Sequence, residues 1–211
     1  MMKNFIFNHP LISDKLSKMR DVNTGYNFFK QLLTEITTLM MYEVGKGYEL
    51  EEISVTTPLA TTKAHKLKHN FVIVPILRAG LGMVDGVHNV IPTARVGHIG
   101  LYRDEKTFQP VEYYSKFPQT MDDGHVIVLD PMLATGASVI KAISLVKNIQ
   151  PKKPRSIKFM GLLGAPEGLK ALNQAHPDVD VYLACLDEKL NDKNYIYPGL
   201  GDAGDRIFGT K

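Results

Sequence analysis

VIVLDPMLATGAS, residues 126–138, is the stretch whose reading decides the fold of this chain. Four apolar residues, Val126 to Leu129, predict a buried strand, and Asp130 stands at its carboxyl end. A run of small residues follows, and an amphipathic helix is expected from about Ala137. In open α/β sheets, ligands gather at the carboxyl ends of strands. A helix N-terminus offers unpaired N–H groups and a partial positive charge to a phosphate. Thr135 and Ser138 add hydroxyl donors, and Gly136 lets the backbone come close. A carboxylate beside a phosphate cradle predicts a ligand carrying both hydroxyls and phosphate, such as a sugar phosphate. Residues 126–138 match neither GxxxxGK[ST] nor GxGxxG, so the loop is not one of the common nucleotide fingerprints. An ordinary capped strand–turn–helix junction would look the same in isolation, so the rest of the chain must decide.

A second stretch, VPILRAGLGMVDGV (74–87), repeats the pattern: an apolar strand ending at Arg78, a tight Ala79-Gly80 turn, then a helix. In a parallel sheet Arg78 and Asp130 share one rim, and a guanidinium grips phosphate oxygens two at a time. A third, GLYRDEKT (100–107), puts Arg103 at the end of another strand, where segment 103–124 opens. That segment alternates without a helical period and reads as a β-hairpin or flap. The fourth, YIYPGLGDAGDRIFGT (195–210), combines Gly199, Gly201, Gly204 and Gly209 with Asp202 and Asp205. Pro198, Ile196, Ile207 and Phe208 would anchor it. Such a loop can present main-chain donors and acceptors to the edge of a planar base.

Between these stretches, apolar runs at 71–77, 94–102, 111–117, 125–130, 156–163 and 180–186 alternate with helical patterns at 80–91, 137–149 and 166–176. That alternation predicts an α/β fold with a mostly parallel sheet flanked by helices. Residues 11–44 read as helical, with Phe28, Leu32, Ile36, Leu39 and Met40 on one face and Gly45 as the stop. Their apolar surface makes them the expected subunit interface. The tail, 187–211, has no regular period, and the whole of 1–211 reads as one domain.

Composition narrows the class. Of 211 residues, 44% are hydrophobic and 22% charged, enough for a substantial core in a soluble protein. A net charge of +3 suits small polyanionic ligands and is too mild to argue for nucleic acid. The lone Cys185 sits in an apolar run and fits a reducing compartment. MMKNFIFNHP is too short in apolar residues for a secretory signal, and no run nears the ~18 residues of a membrane span. The expectation is a cytoplasmic protein with no membrane and no nucleic-acid partner. Two basic groups stand out: Lys147, Lys152, Lys153, Arg155 and Lys158, and Lys63, His65, Lys66, Lys68 and His69. The first reads as cations at a helix end and strand entry, the second as a solvated face.

The 126–138 loop resembles the 5-phosphoribosyl 1-diphosphate (PRPP) loop of the type I phosphoribosyltransferases. The four stretches in this order resemble the uracil phosphoribosyltransferase family over essentially the whole chain, PGLGDAGDRIFGT being the most specific part. The resemblance implies transfer of the 5-phosphoribosyl group from PRPP to N1 of uracil, giving UMP and diphosphate, in pyrimidine salvage. It implies PRPP contacts at Arg78, Arg103, Asp130, Pro131, Met132, Leu133, Ala134, Thr135, Gly136, Ala137, Ser138 and Asp202. It implies uracil contacts at Ile196, Gly201, Asp202 and Ala203, with Arg103, Asp130 and Asp202 carrying the catalysis. Mg²⁺ would be held mainly through PRPP, with no direct protein ligand. Many type I members have two adjacent acids at the strand end; here Pro131 follows Asp130, as in the uracil branch. A homodimer or larger homo-oligomer is implied, with GTP as a candidate effector at the second basic group. The alternatives are transfer to another base, or an RNA-binding regulator on the same scaffold using the first basic group.

Overall fold

The computed structural model describes residues 3–103, 110–149 and 153–210, and of Arg103 the backbone alone. In chain order the elements are β1 (Asn4–Ile6), α1 (Pro10–Arg20), α2 (Tyr26–Val44), β2 (Leu50–Thr56), β3 (Thr61–Leu67) and β4 (Phe71–Leu77). A 3-10 turn, Ala79–Met83, leads to α3 (Val84–His88), β5 (Arg95–Val96), β6 (His98–Arg103) and β7 (Pro110–Lys116). Then come β8 (His125–Leu129), β9 (Met132–Leu133), α4 (Ala137–Lys147), β10 (Ser156–Gly164) and α5 (Pro166–Ala175). The chain closes with β11 (Asp180–Leu186), β12 (Lys189–Leu190), β13 (Ile196–Tyr197) and α6 (Ala203–Phe208).

The main sheet runs β1–β11–β10–β8–β4–β6–β7, with β5 beside β4 and β9 beside β10. Every pairing in it is parallel except the β6–β7 hairpin. The predicted α/β architecture is therefore present, and the hairpin occupies the place of the expected flap. Residues 104–109, inside that flap, lie outside the described residues.

Alternation along the central strands explains the layers. Val72, Val74, Val126 and Val128 pack with Val139, Ala142, Ile143 and Leu172 of α4 and α5. Ile73, Ile127 and Leu129, one residue out of phase, pack with Leu16 and Met19 of α1 and with α2. Full burial of each such side chain contributes about 1.5–3 kcal/mol. A strand covered on both faces has no polar side, which is why these runs read as continuous apolar blocks.

Residues 11–44 are helical as expected, in two helices separated at 21–25, while the buried seam differs in part from the expected one. His9 Nδ1 accepts from Leu11 N–H at 3.2 Å and Pro10 takes the first helical position, fixing the start of α1. In α2 the expected Leu32, Ile36 and Met40 are buried, joined by Phe29, Leu33, Met41 and Val44, while Phe28 is 45% exposed. Either phenylalanine satisfies a helical period; packing on the sheet selects Phe29. That face is used by the chain's own core, so the surface left for a partner on these helices is Leu11, Tyr26, Phe28 and Tyr42.

The β2–β3 hairpin was absent from the sequence reading. Its seven registered pairs are antiparallel. Lys63, Lys66 and Lys68 face Glu52, Glu51 and Glu49 at 3.0, 2.8 and 2.9 Å. The basic group proposed for an effector is thus largely matched by acids on the same hairpin. The other basic group is dispersed as well. Lys147 meets Asp178 at 2.5 Å, Arg155 meets Asp123 at 3.1 Å, and Lys158 is buried with its ammonium on the Val44 carbonyl at 2.7 Å. Lys152 lies outside the described residues.

Candidate active site

β4 and β8 are neighbours in register, Pro75 opposite Leu129, so the residues following each strand emerge side by side. From β4 the chain moves outward to β6 and β7, then returns to β8 on the other side of β4. This is the crevice between strands whose connections diverge, where α/β sheets bind ligands. Arg78 emerges from β4 and Asp130 from β8, as the strand-end reading requires.

Gly80 makes the close approach feasible. A Cβ there would lie 2.4 Å from the Leu129 carbonyl oxygen and 3.1 Å from Pro75 Cα. Arg78 is exposed, and no carboxylate pairs with it among the described residues. Its guanidinium carbon lies 5.8 Å from the centroid of the Phe208 ring. A cation so placed, stacked on one side and unpaired on the other, is available to an anionic ligand.

Asp130 Oδ1 accepts from the Met132 N–H at 3.1 Å, and the Pro131 carbonyl accepts from Leu162 and Leu163 on β10. The chain is thereby bent across the top of the sheet. The Asp130 residue keeps an opening to the cleft, yet protein crowds its carboxyl. That loss of solvation pushes its pKa up to about 7, against the downward pull of the Met132 N–H. Pro131 and Leu133 are buried; Thr135 and Ser138 are half-buried at the approach to α4.

Gly136 caps α4 with φ +84°, a conformation a side chain resists. Ala137 is the first helical residue, so its methyl group costs nothing. No acidic side chain occupies the first turn of α4, which leaves the positive helix end uncompensated. Gly168 on α5 touches this loop: a Cβ there would lie 2.1 Å from the Ala134 carbonyl oxygen. The sequence reading missed Gly168, although a glycine inside the helical stretch PEGLK was a signal of close packing.

The opposite wall comes from the tail, where β12, β13 and the short α6 are joined by turns. Ile196 and Ala203 are buried, and Gly199 and Gly201 have φ +63° and +83°. Asp202 Oδ1 accepts from the Asp205 N–H at 2.9 Å and so caps α6. Leu200 and Ile207 anchor the segment in the core. A cavity of about 400 Å³ lies between the walls, reached by Arg78, Ala79, Asp130, Met132 and Ala134 on one side. Ile196, Gly201, Asp202, Ala203 and Gly204 line the other. Lys193, Asn194 and Tyr195, which the sequence reading did not single out, complete the rim. Arg103 ends β6, and its side chain lies outside the described residues.

Residues 6–210 match the family model for uracil phosphoribosyltransferase. The chain is 57% identical over 207 residues to the uracil phosphoribosyltransferase of Malacoplasma penetrans, covering 98% of this chain and 99% of that one. It is 57% identical over 212 residues to that of Clostridium beijerinckii, covering both chains fully. A solved structure of a protein from Aquifex aeolicus superposes with a TM-score of 0.93 at 36% identity, over 99% of each chain.

Proposed function

This chain belongs to the uracil phosphoribosyltransferase family, and from that premise we propose that the cleft between Arg78, Asp130 and the 196–204 wall is where it joins uracil to PRPP. The reaction transfers the 5-phosphoribosyl group to N1 of uracil and releases diphosphate, giving UMP. The observation that carries the assignment of the site is a cavity of about 400 Å³ touching both the β4 and β8 strand ends and the tail.

Displacement at the anomeric carbon builds positive charge on the ribose ring while the diphosphate departs with negative charge. Catalysis then comes chiefly from support of the leaving group and from positioning. Arg78, and Arg103 from the flap, meet the diphosphate. Asp130 accepts the ribose hydroxyls, and the 134–138 turn with the α4 N-terminus holds the 5-phosphate. Main chain at Ile196, Gly201 and Ala203 reads the O4 and N3–H edge of uracil. A site built for those groups leaves buried polar atoms unpaired with the wrong base, which supports discrimination of up to ~10⁴-fold.

Members of this family use Mg²⁺ with PRPP. Among the described residues no three His, Cys, Asp or Glu side chains gather as a metal site. A donor set of Asp130 and Asp202 facing a cleft that carries Arg78 fits an ion held mainly through substrate oxygens. Bound there, the ion would neutralise diphosphate charge. No helix among the described residues is long and apolar enough to cross a membrane. The phosphorylated substrates support a cytoplasmic enzyme. A homodimer or larger assembly is supported by apolar side chains left exposed on the β2–β3 hairpin, Leu50, Val55, Leu59 and Leu67.

The direct test is UMP formation from PRPP and Mg²⁺ with uracil, cytosine, thymine, hypoxanthine and orotate in parallel. Turnover with uracil alone is expected; turnover with another base instead would overturn the base assignment and keep the PRPP half of the cleft. A second expectation concerns Asp202. Asp202→Ala removes the α6 cap at a cost of about 1 kcal/mol, while turnover falls by about tenfold or more. Denaturant melts and steady-state kinetics on the same sample separate the two. Unchanged turnover would remove Asp202 from the chemistry.

A further inference from the structure

The segment that reads the base has an unusual support. Gly199 and Gly201 both have positive φ, so this backbone has few side chains to hold it. Behind it lies a hollow of about 550 Å³, bounded by Arg20, Val22, Tyr195, Pro198 and Arg206 as well as by the segment itself. Packing does not back the loop on that side. Hydrogen bonds from two arginines do.

Arg20 is the last residue of α1. Its guanidinium meets Asp187 in a two-pronged pair, 2.8 Å to Oδ2 and 2.5 Å to Oδ1, and Nη1 also donates to the Gly199 carbonyl at 2.7 Å. Asp187 Oδ2 accepts from the Gly199 N–H at 2.9 Å. Both polar groups of Gly199 are therefore held by one ion pair. The Asp187 side chain is only 3% exposed, so solvent does not compete for it. Burial works to raise the Asp187 pKa, and Arg20, Gly199 N–H and Cys185 outweigh it, holding the carboxyl below its ordinary range. The next carbonyl, Leu200, accepts from Arg206 Nη1 at 3.0 Å. Arg206 also donates to the Met19 carbonyl at 2.5 Å and the Asp21 carbonyl at 2.6 Å, and it lies over the Phe29 ring at 4.5 Å. Two successive carbonyls ahead of Gly201–Ala203 are thus pinned to the end of α1.

We propose that Arg20 and Asp187, assisted by Arg206, are positioning residues for base recognition: they clamp the Gly199–Leu200 backbone so that Gly201–Ala203 presents its main-chain groups to the pyrimidine edge. None of the three is needed to touch the reacting atoms. Recognition by main chain tolerates displacements of only about 0.5 Å. A clamp that removes loop freedom before the base arrives raises affinity and selectivity without adding a contact. The inference rests on the reading that residues 196 and 201–203 bind uracil.

The test compares Arg20→Lys and Arg20→Met in the full chain with an Ile12→Val control, Ile12 being a buried α1 residue remote from any polar contact with the loop. Lysine keeps the charge beside Asp187 but loses the two-pronged geometry; methionine loses both. Expected is a rise in uracil KM of about tenfold for Arg20→Lys and more for Arg20→Met, with PRPP affinity by calorimetry within about twofold. Uracil should also lose part of its advantage over cytosine. Ile12→Val should lower the melting midpoint and leave uracil KM alone. An unchanged uracil KM in Arg20→Lys overturns the clamp, as does an equal rise in Ile12→Val, which would make the effect one of stability. Arg20→Lys remains decisive if Arg20→Met does not fold. Failure of the underlying base assignment shows separately, as wild-type protein that does not turn over uracil.

Discussion

Asp130→Asn is expected to move activity and stability in opposite directions. With PRPP, kcat/KM should fall by about 10²–10³-fold, because an amide cannot give the ribose hydroxyls a charged acceptor in a poorly solvated site. Stability should rise. The Asp130 pKa is pushed from 3.8 to about 7 by loss of solvation. Between those values the folded protein holds a proton that the unfolded chain has released, so stability falls as pH rises through this window, and the whole penalty is present above it. Asparagine removes the charge, and its Oδ1 can still accept from Met132 N–H. At about pH 8 the variant should be more stable by about 1 kcal/mol, the cleft opening letting water screen much of a larger penalty. That advantage should shrink as pH drops below about 7. Denaturant melts at two pH values, beside steady-state rates, make the check. A variant less stable than wild type at the higher pH would show that the fold supports the charged carboxylate rather than stripping it of water.

Gly168→Ala should damage the PRPP side of the cleft from a residue that lines none of it. The added Cβ would fall 2.1 Å from the Ala134 carbonyl oxygen, 2.8 Å from that of Leu133 and 2.9 Å from the Ala134 carbonyl carbon. All three are backbone atoms, so no side chain can rotate away. Alanine favours a helix over glycine by about 1 kcal/mol. Forced overpacking costs about 1–3 kcal/mol or more when backbone must shift. The steric effect therefore wins, with a net loss of about 1–2 kcal/mol. The Ala134 loop must move away from α5, so PRPP affinity by calorimetry should weaken by about tenfold or more, with uracil binding affected less. Gly25→Ala is the contrasting case: a Cβ there meets nothing within 4 Å, so only the modest cost of alanine at the N-cap of α2 is expected, with PRPP affinity unchanged. Wild-type stability and PRPP affinity in Gly168→Ala would show that α5 and the loop are not in close backbone contact.

What could be read in the amino-acid sequence was local. An apolar run followed by Asp130 or Arg78 announces a strand end, because burial on both faces requires continuous apolar residues and a polar residue terminates them. The order of strands and helices then forces a parallel sheet and brings both strand ends to one rim. Gly136 was legible as a point of close backbone approach, and the structure adds that the turn into α4 holds it at φ +84°. The β2–β3 hairpin was not, since exposed Lys–Glu pairs line it and it has little apolar pattern to betray it. Phe28 and Phe29 fit a helical period equally well, and only contact with the sheet distinguishes them.

Relations between distant residues were out of reach of any such pattern. Arg20 and Asp187 stand 167 residues apart, and neither residue's neighbours in the chain require the other. Their pairing exists because the last residue of α1 is brought beside the residue that follows β11, a consequence of how the core packs. The contact of Gly168 with Ala134 has the same origin, in the distance between a helix and a loop that only packing fixes. The elements, their order and the chemistry at two strand ends follow from residue types and their spacing, because burial and backbone sterics act locally. The tail becomes one wall of a cleft, with the N-terminal helix supporting it from behind, only once the chain is compact, because long-range hydrogen bonds and close backbone contacts form between surfaces that the fold alone brings together.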